Sequence, residues 1–481
     1  MQKLFTRWPA LAIFAISLAL YLSGTWILPL VDRDEPRFSE ATREMLQRGD
    51  WIVPWFNNQH RFDKPPLIYW AQMPCYRLFG ENEFSARLPS ALFAAGTAVL
   101  IFFWARRLTR PPAAFSAALI FATSLQILIH ARLAVADMPM IFFSAAAMWS
   151  GWEWSRPDAA HSRRWWWIFY VSLALGFLAK GPVAWLPIGG LLLCRAFRPR
   201  EFNFSWLSFA LGILLMLGIV AIWGIPALVV THGDYLKVGI GHHVIFRSFD
   251  VMDNHGARGW FGWLLSTPFY FIAFFFSFFP WAFRVPTALR SWWPVRGTDT
   301  GGLYLLVQAG LIFLIFSLVR TKLPHYTLPA FPAIAIWLAR EAERGAIAGL
   351  KVAKWAAVMA IFTIAVTIPG FLAARPEFVS HQLFEKARPF LKPDMKFATL
   401  EYTEPSLVWD FRGVVTNYME TLNANQATDF LRQKNPFVLV VPTSFYRTNS
   451  ALLTTNMAVV QTRGINVANG KKVDVTAIVN P

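Results

Sequence analysis

Asp34 and Glu35 stand side by side ahead of a proline, in the stretch Val31-Asp32-Arg33-Asp34-Glu35-Pro36-Arg37-Phe38. A carboxylate in such a place could take a proton from an attacking hydroxyl. It could equally do no more than cap a helix and favour its positive end. Pro36 suits a first helical position, where its missing N–H costs nothing. Phe38, Ala41 and Met45 then fall on one helical face, with Arg37, Glu40 and Glu44 around the other. The pattern predicts an amphipathic helix lying at a membrane surface, with two carboxylates at its start.

Other groups of the same kind recur along the chain. Asp63-Lys64-Pro65-Pro66 holds a cation in a rigid extended segment. Asp137 precedes Met138-Pro139, Lys180 precedes Gly181-Pro182, and His242, His243, Arg247 and His255 share one polar segment. Arg320, Lys322, His325 and Tyr326 follow. Each has a plainer alternative. Asp137 could cap a helix, and Lys180, Arg320 and Lys322 could snorkel to headgroups. Tyr326 could be an interface aromatic. The adjacent pair His242-His243 lacks helical metal-ligand spacing, so no metal site is expected there.

The elements that must position these groups are membrane helices. The 481 residues are 56% hydrophobic and 16% aromatic, with mean hydropathy +0.40. The apolar residues come in blocks long enough to cross a bilayer. This composition predicts an all-α polytopic membrane protein. The net charge of +17 sits mostly between apolar blocks, where Lys and Arg orient helices and meet lipid headgroups rather than nucleic acid. Cys75 and Cys194 suggest neither a disulfide framework nor a thiolate metal site.

Alternation of basic loops predicts about eleven spans: 9–30, 89–105, 112–131, 138–154, 165–179, 183–194, 206–230, 260–283, 302–319, 323–339 and 355–373. Lys3 and Arg7 place the N-terminus in the cytoplasm and residues 31–88 in a long external loop. Residues 1–374 then form the membrane domain, and 375–481 an external C-terminal α/β domain. In that tail Phe437–Val441 reads as a buried strand. The valines around 459–460 and 473–475, broken by Asn469-Gly470, read as a hairpin. Under this topology the unusual ionisable groups fall on the outer face, which suits a substrate with an anionic head and a lipid tail.

Asp34-Glu35-Pro36-Arg37-Phe38-Ser39-Glu40, Gly49-Asp50-Trp51-Ile52-Val53-Pro54, Phe62-Asp63-Lys64-Pro65-Pro66-Leu67-Ile68-Tyr69-Trp70 and Ala86-Arg87-Leu88-Pro89-Ser90 resemble the first periplasmic loop of bacterial lipid A aminoarabinose transferases. These are GT-C membrane glycosyltransferases related to protein O-mannosyltransferases. The resemblance continues through Ala136-Asp137-Met138-Pro139, Lys180-Gly181-Pro182, His243, Arg247 and His255, and Lys322-Leu323-Pro324-His325-Tyr326. It implies a sugar donor on polyprenyl (undecaprenyl) phosphate, an inverting transfer at the periplasmic face of the inner membrane, and no cofactor. The acceptor would be lipid A, lipopolysaccharide or another envelope glycan or protein. By the same resemblance Asp34 leads the catalytic residues, with Glu35 and Asp137. Arg37, Lys64, Tyr69, Lys180, His243, Arg247, His255, Lys322 and Tyr326 would bind donor phosphate or substrate. A divalent cation shared by Asp34, Glu35 and Asp137 is the one metal alternative. Phe38 stands where a tyrosine is common and Asp63 where a glutamate is common before Lys-Pro-Pro, two mild departures that leave the donor sugar open. Protein O-glycosylation is the enzyme alternative. A lipid or glycan transporter is the non-enzyme alternative, and it predicts mid-bilayer polar groups and two related halves, neither of which the sequence contains.

Overall fold

The computed structural model describes residues 8–157, 162–246, 259–345 and 351–481. The chain divides into two compact units. One contains residues 1–23, 62–68 and 87–364, and the other 24–61, 69–86 and 365–481.

The first unit is helical. Its described helices include Pro9–Leu22, Pro111–Ala122, Leu125–His130, Asp137–Ser155, Ser162–Lys180, Leu186–Phe197, Trp206–Val230, Thr300–Leu318 and Phe331–Glu343. Five helices in the described chain are long and apolar enough to cross a bilayer: Glu83–Ala105, Trp206–Val230, Trp260–Ser277, Thr300–Leu318 and Val352–Glu377. Trp206–Val230 exposes Leu207, Leu214, Ile222, Ile225 and Val229, a face that suits lipid rather than water. The protein is a multi-pass membrane protein.

Several expected spans differ: the one over 260–283 is the helices Gly259–Ser266 and Phe269–Ser277, and those over 183–194 and 323–339 open with the 3₁₀ turns Pro182–Trp185 and Pro324–Ala330. The first helix ends at Leu22, because Ser23 leaves helical geometry and Gly24 follows in the left-handed region (φ +80°). The segment expected as one span over 112–131 is two helices, with Ser124 extended between them.

Helices in this unit approach closely where a side chain is missing. A Cβ on Gly212 would lie 1.9 Å from the Tyr170 ring, and the Tyr170 hydroxyl donates to the Phe209 carbonyl at 3.2 Å. Small residues allow this kind of contact between membrane helices. The basic residues near 340 do more than orient a helix. Asp299 accepts from Arg340 at 2.9 Å and from Arg344 at 2.8 Å, and its side chain caps the helix Thr300–Leu318 through the Gly302 N–H.

The second unit is a three-layer α/β fold. After the short hairpin β1 (Trp55–Phe56) and β2 (Gln59–His60), it contains β3 (Lys396–Thr399), β4 (Met419–Thr421), β5 (Phe437–Pro442), β6 (Ala458–Asn466) and β7 (Lys471–Asn480). The larger sheet has the order β4-β3-β5-β7-β6. β3 runs parallel to β4 and β5, whereas β7 is antiparallel to β5 and β6. β5 is central and buried on both faces, so alternate residues feed two cores. Val438 and Val440 join Leu383, Phe397 and Phe411, while Phe437, Leu439 and Val441 join Ala427, Phe430 and Leu431. The expected strand and hairpin are both present. Gly470 (φ +70°) supplies the left-handed residue that the β6–β7 turn needs.

Candidate functional site

Asp34 opens the helix Asp34–Arg48 of the second unit, two residues before the expected start at Pro36. Its side chain is exposed, and among the described residues no hydrogen bond or ion pair holds it. Glu35 is 2% exposed, and its Oε2 accepts from the Val31 N–H at 2.8 Å. The two adjacent carboxylates therefore differ in kind: Glu35 fastens the entry turn, and Asp34 faces outward. Arg37 is half-buried. Tyr69 is fully buried against Phe38, with its hydroxyl 3.3 Å from Arg61 Nε.

This helix is not the surface-lying amphipathic helix that its pattern predicts. Phe38, Ala41 and Met45 are buried as expected, but so are Glu40, Arg43 and Glu44. The polar face is covered because it has charged partners in the same unit. Arg43 donates to Glu40 Oε2 at 2.7 Å and to the Trp409 carbonyl at 3.0 Å, and lies 3.8 Å above the Trp409 ring. Arg412 is 3.3 Å from both Glu40 and Glu44. Glu44 also accepts from the Asn57 and Asn58 backbone N–H groups, at 2.5 and 3.1 Å. Burial pushes the Glu40 carboxyl up to about 7, against the pull of Arg43 and Arg412.

In the first unit, Asp137 begins the helix Asp137–Ser155 and is 5% exposed. Lys180 Nζ donates to its Oδ1 at 2.6 Å. Gly181 (φ +80°) ends the helix that carries Lys180, and the turn into Pro182 fixes where the lysine emerges. The structure thus joins two residues 43 positions apart in sequence. Lys64 pairs with its neighbour Asp63 at 2.7 Å, and its carbonyl accepts from the Tyr235 hydroxyl at 2.5 Å. Lys322 is 7% exposed, and its ammonium donates to the Phe316 and Ser317 carbonyls at 3.0 and 2.6 Å. It closes the C-terminus of Thr300–Leu318, where backbone acceptors lack helical partners. Tyr326 lies against the rings of Phe316 and His325, with centroids 5.1 Å away in each case. Arg247, His255 and the side chain of His243 lie outside the described residues.

Sequence reasoning missed His130 and Arg132. Arg132 is 6% exposed and donates to the Leu128 and Leu20 carbonyls, both at 2.5 Å, and to Ser23 Oγ at 3.1 Å. It ties the loop before Asp137 to the end of the first helix. His130 is buried, with its ring 5.1 Å from that of His325. The available signal was a histidine and an arginine within seven residues of Asp137, where apolar sequence surrounds them.

Residues 63–223 match the family model described as dolichyl-phosphate-mannose-protein mannosyltransferase. An undecaprenyl phosphate-alpha-4-amino-4-deoxy-L-arabinose arabinosyl transferase of Edwardsiella ictaluri is 32% identical over 71% of this chain and 60% of its own length. The present chain therefore spans less than two thirds of that relative. The transferase of the same name from an Enterobacter species is 30% identical over 77% of this chain and 68% of its own length. The crystal structure of ArnT from Cupriavidus metallidurans bound to undecaprenyl phosphate has the same fold, with a TM-score of 0.78, 20% identity and coverage of 97% of each chain. By fold and by sequence, the chain belongs to the ArnT-like family of GT-C membrane glycosyltransferases, that of the undecaprenyl phosphate-aminoarabinose arabinosyl transferases.

Proposed function

We propose that the protein is an inverting glycosyltransferase that moves a sugar from an undecaprenyl-phosphate donor to lipid A or another envelope acceptor. The observation that carries this reading is family membership at about 30% identity over most of the chain. The donor brings its own leaving group, a phosphate ester, so the transfer needs no nucleotide and is written without a cofactor. Cations that absorb the charge of the departing phosphate lower the barrier. Lys64, Lys180, Lys322, Arg37, Arg247, His243 and His255 are the candidates for this work, with Tyr69 and Tyr326 lining the substrate.

Asp34 is the leading catalytic carboxylate, and its exposed side chain supports the assignment. Where the acceptor is a hydroxyl, Asp34 takes its proton. Where the acceptor is a lipid A phosphate, already anionic, positioning matters more than proton removal. Glu35 and Asp137 support these roles, Glu35 through the entry turn and Asp137 through Lys180. The protein sits in the inner membrane with about eleven spans, its N-terminus cytoplasmic and residues 375–481 periplasmic. The match of residues 63–223 to a protein mannosyltransferase model favours one second reading, transfer to a protein hydroxyl.

The test is transfer by purified protein from an undecaprenyl-phosphate sugar. Asp34→Asn is expected to lower the rate by ~10²-fold or more, the range for a lost acid–base group, with donor binding retained. Full activity in that variant removes Asp34 from the mechanism.

A further inference from the structure

His130, Asp137 and His325 come together within the first unit. One donor atom from each lies within 4.8 Å of the others. His130 and Asp137 are buried and His325 is half-buried. The three come from the end of the helix Leu125–His130, the start of Asp137–Ser155, and the 3₁₀ turn Pro324–Ala330. We propose that this cluster is a binding site for one divalent transition-metal ion, with zinc the best match.

The donor set is the first argument. Two imidazoles and one carboxylate suit zinc and its neighbours in the first transition row, and do not suit magnesium or calcium, which take oxygen ligands. Three protein ligands leave coordination positions for water or an anion. With bonds of about 2.0–2.2 Å, donor atoms must lie closer together than 4.8 Å, so the three side chains draw together when the ion binds.

The second argument is how His130 is held. Its Nδ1 lies 3.2 Å from the Gln126 carbonyl one turn earlier, and the Gln126 amide contacts the same nitrogen at 3.2 Å. In the tautomer where Nδ1–H donates to that carbonyl, Nε2 is the ligating nitrogen, the outer arrangement common to metal-bound histidines; the Gln126 amide would instead donate to an Nδ1 that carries no proton. Asp137 is compatible with both neighbours, since Lys180 takes Oδ1 and a carboxylate offers about four lone pairs over two oxygens. The ion would join three segments and fix the position of Asp137. This proposal does not depend on which sugar or acceptor the enzyme uses.

The experiment uses full-length protein purified in detergent without a polyhistidine tag. Elemental analysis after dialysis against limiting zinc should find one more ion per chain in the wild type than in His130→Ala or His325→Ala. A chelator should lower the thermal midpoint of the wild type, zinc should restore it, and neither should move the midpoint of the variants. Replacing zinc by Co²⁺ should give visible absorption bands that both variants lose. Equal zinc in wild type and variants, or a wild-type midpoint indifferent to chelator, overturns the site. If the variants fail to fold, the wild-type chelator response and cobalt spectrum decide alone, and the absence of both is the contrary result.

Discussion

Asp32 and Asp34 are two positions apart and meet different surroundings. Asp34 is exposed. Asp32 accepts from the Ser406 N–H at 2.9 Å and also from the Ser406 hydroxyl, which in turn lies 2.7 Å from Ser380 Oγ. Burial pushes the Asp32 carboxyl up to about 7, while the Ser406 hydrogen bonds pull the other way. An unfolded aspartate titrates near 3.8. Between these values the folded chain holds a proton that the unfolded chain has released. Stability from this residue is therefore full below the lower value and is lost as pH rises through about 7. Thermal unfolding should show a midpoint that falls between mildly acidic and neutral pH, and Asp32→Asn should flatten that slope. An unchanged slope in the variant assigns the titration elsewhere. The sequence showed the carboxylates but not this division, because burial depends on Ser406, more than 370 residues away.

The helix Asp34–Arg48 carries the leading catalytic candidate, and a buried charge network holds it. Arg412 is central, since it faces both Glu40 and Glu44. Arg412→Met leaves those carboxylates buried with less compensation, and breaking a buried pair in this way costs about 3–5 kcal/mol. Hydrogen exchange across residues 34–48 should accelerate, and sugar transfer should fall with it. Unchanged exchange contradicts the role given to Arg412. The helix itself was legible from Phe38, Ala41 and Met45 at helical spacing. Its burial was not: Glu40 and Glu44 look like a solvated face until a partner from the far end of the chain is known. The first helix was overestimated for a local reason, since Ser23-Gly24 lies inside an apolar run and breaks it by backbone conformation. By contrast, β5 and the β6–β7 hairpin were legible because β-branched runs and Asn469-Gly470 carry their own local signals.

Across the whole molecule, composition and the spacing of basic loops identified a polytopic membrane protein, and the first-loop motifs identified its family. Within the first unit, Lys180 does meet Asp137, as a shared site would require. Lys64 and Lys322, assigned to donor phosphate, are engaged by Asp63 and by helix-end carbonyls. Each must exchange those contacts for a phosphate oxygen if it binds the donor, an exchange of one anionic or carbonyl acceptor for another. His130 lies in no spacing pattern, and His325 was legible only as part of its own motif; only folding brings both beside Asp137. The most direct test of the central claim is mass spectrometry of envelope lipids and glycans from cells with and without this protein. The account predicts a sugar-sized mass increment on lipid A or another envelope acceptor that requires the protein and is lost in Asp34→Asn. Identical acceptor profiles in the two strains, with the undecaprenyl-phosphate sugar donor present, would contradict it.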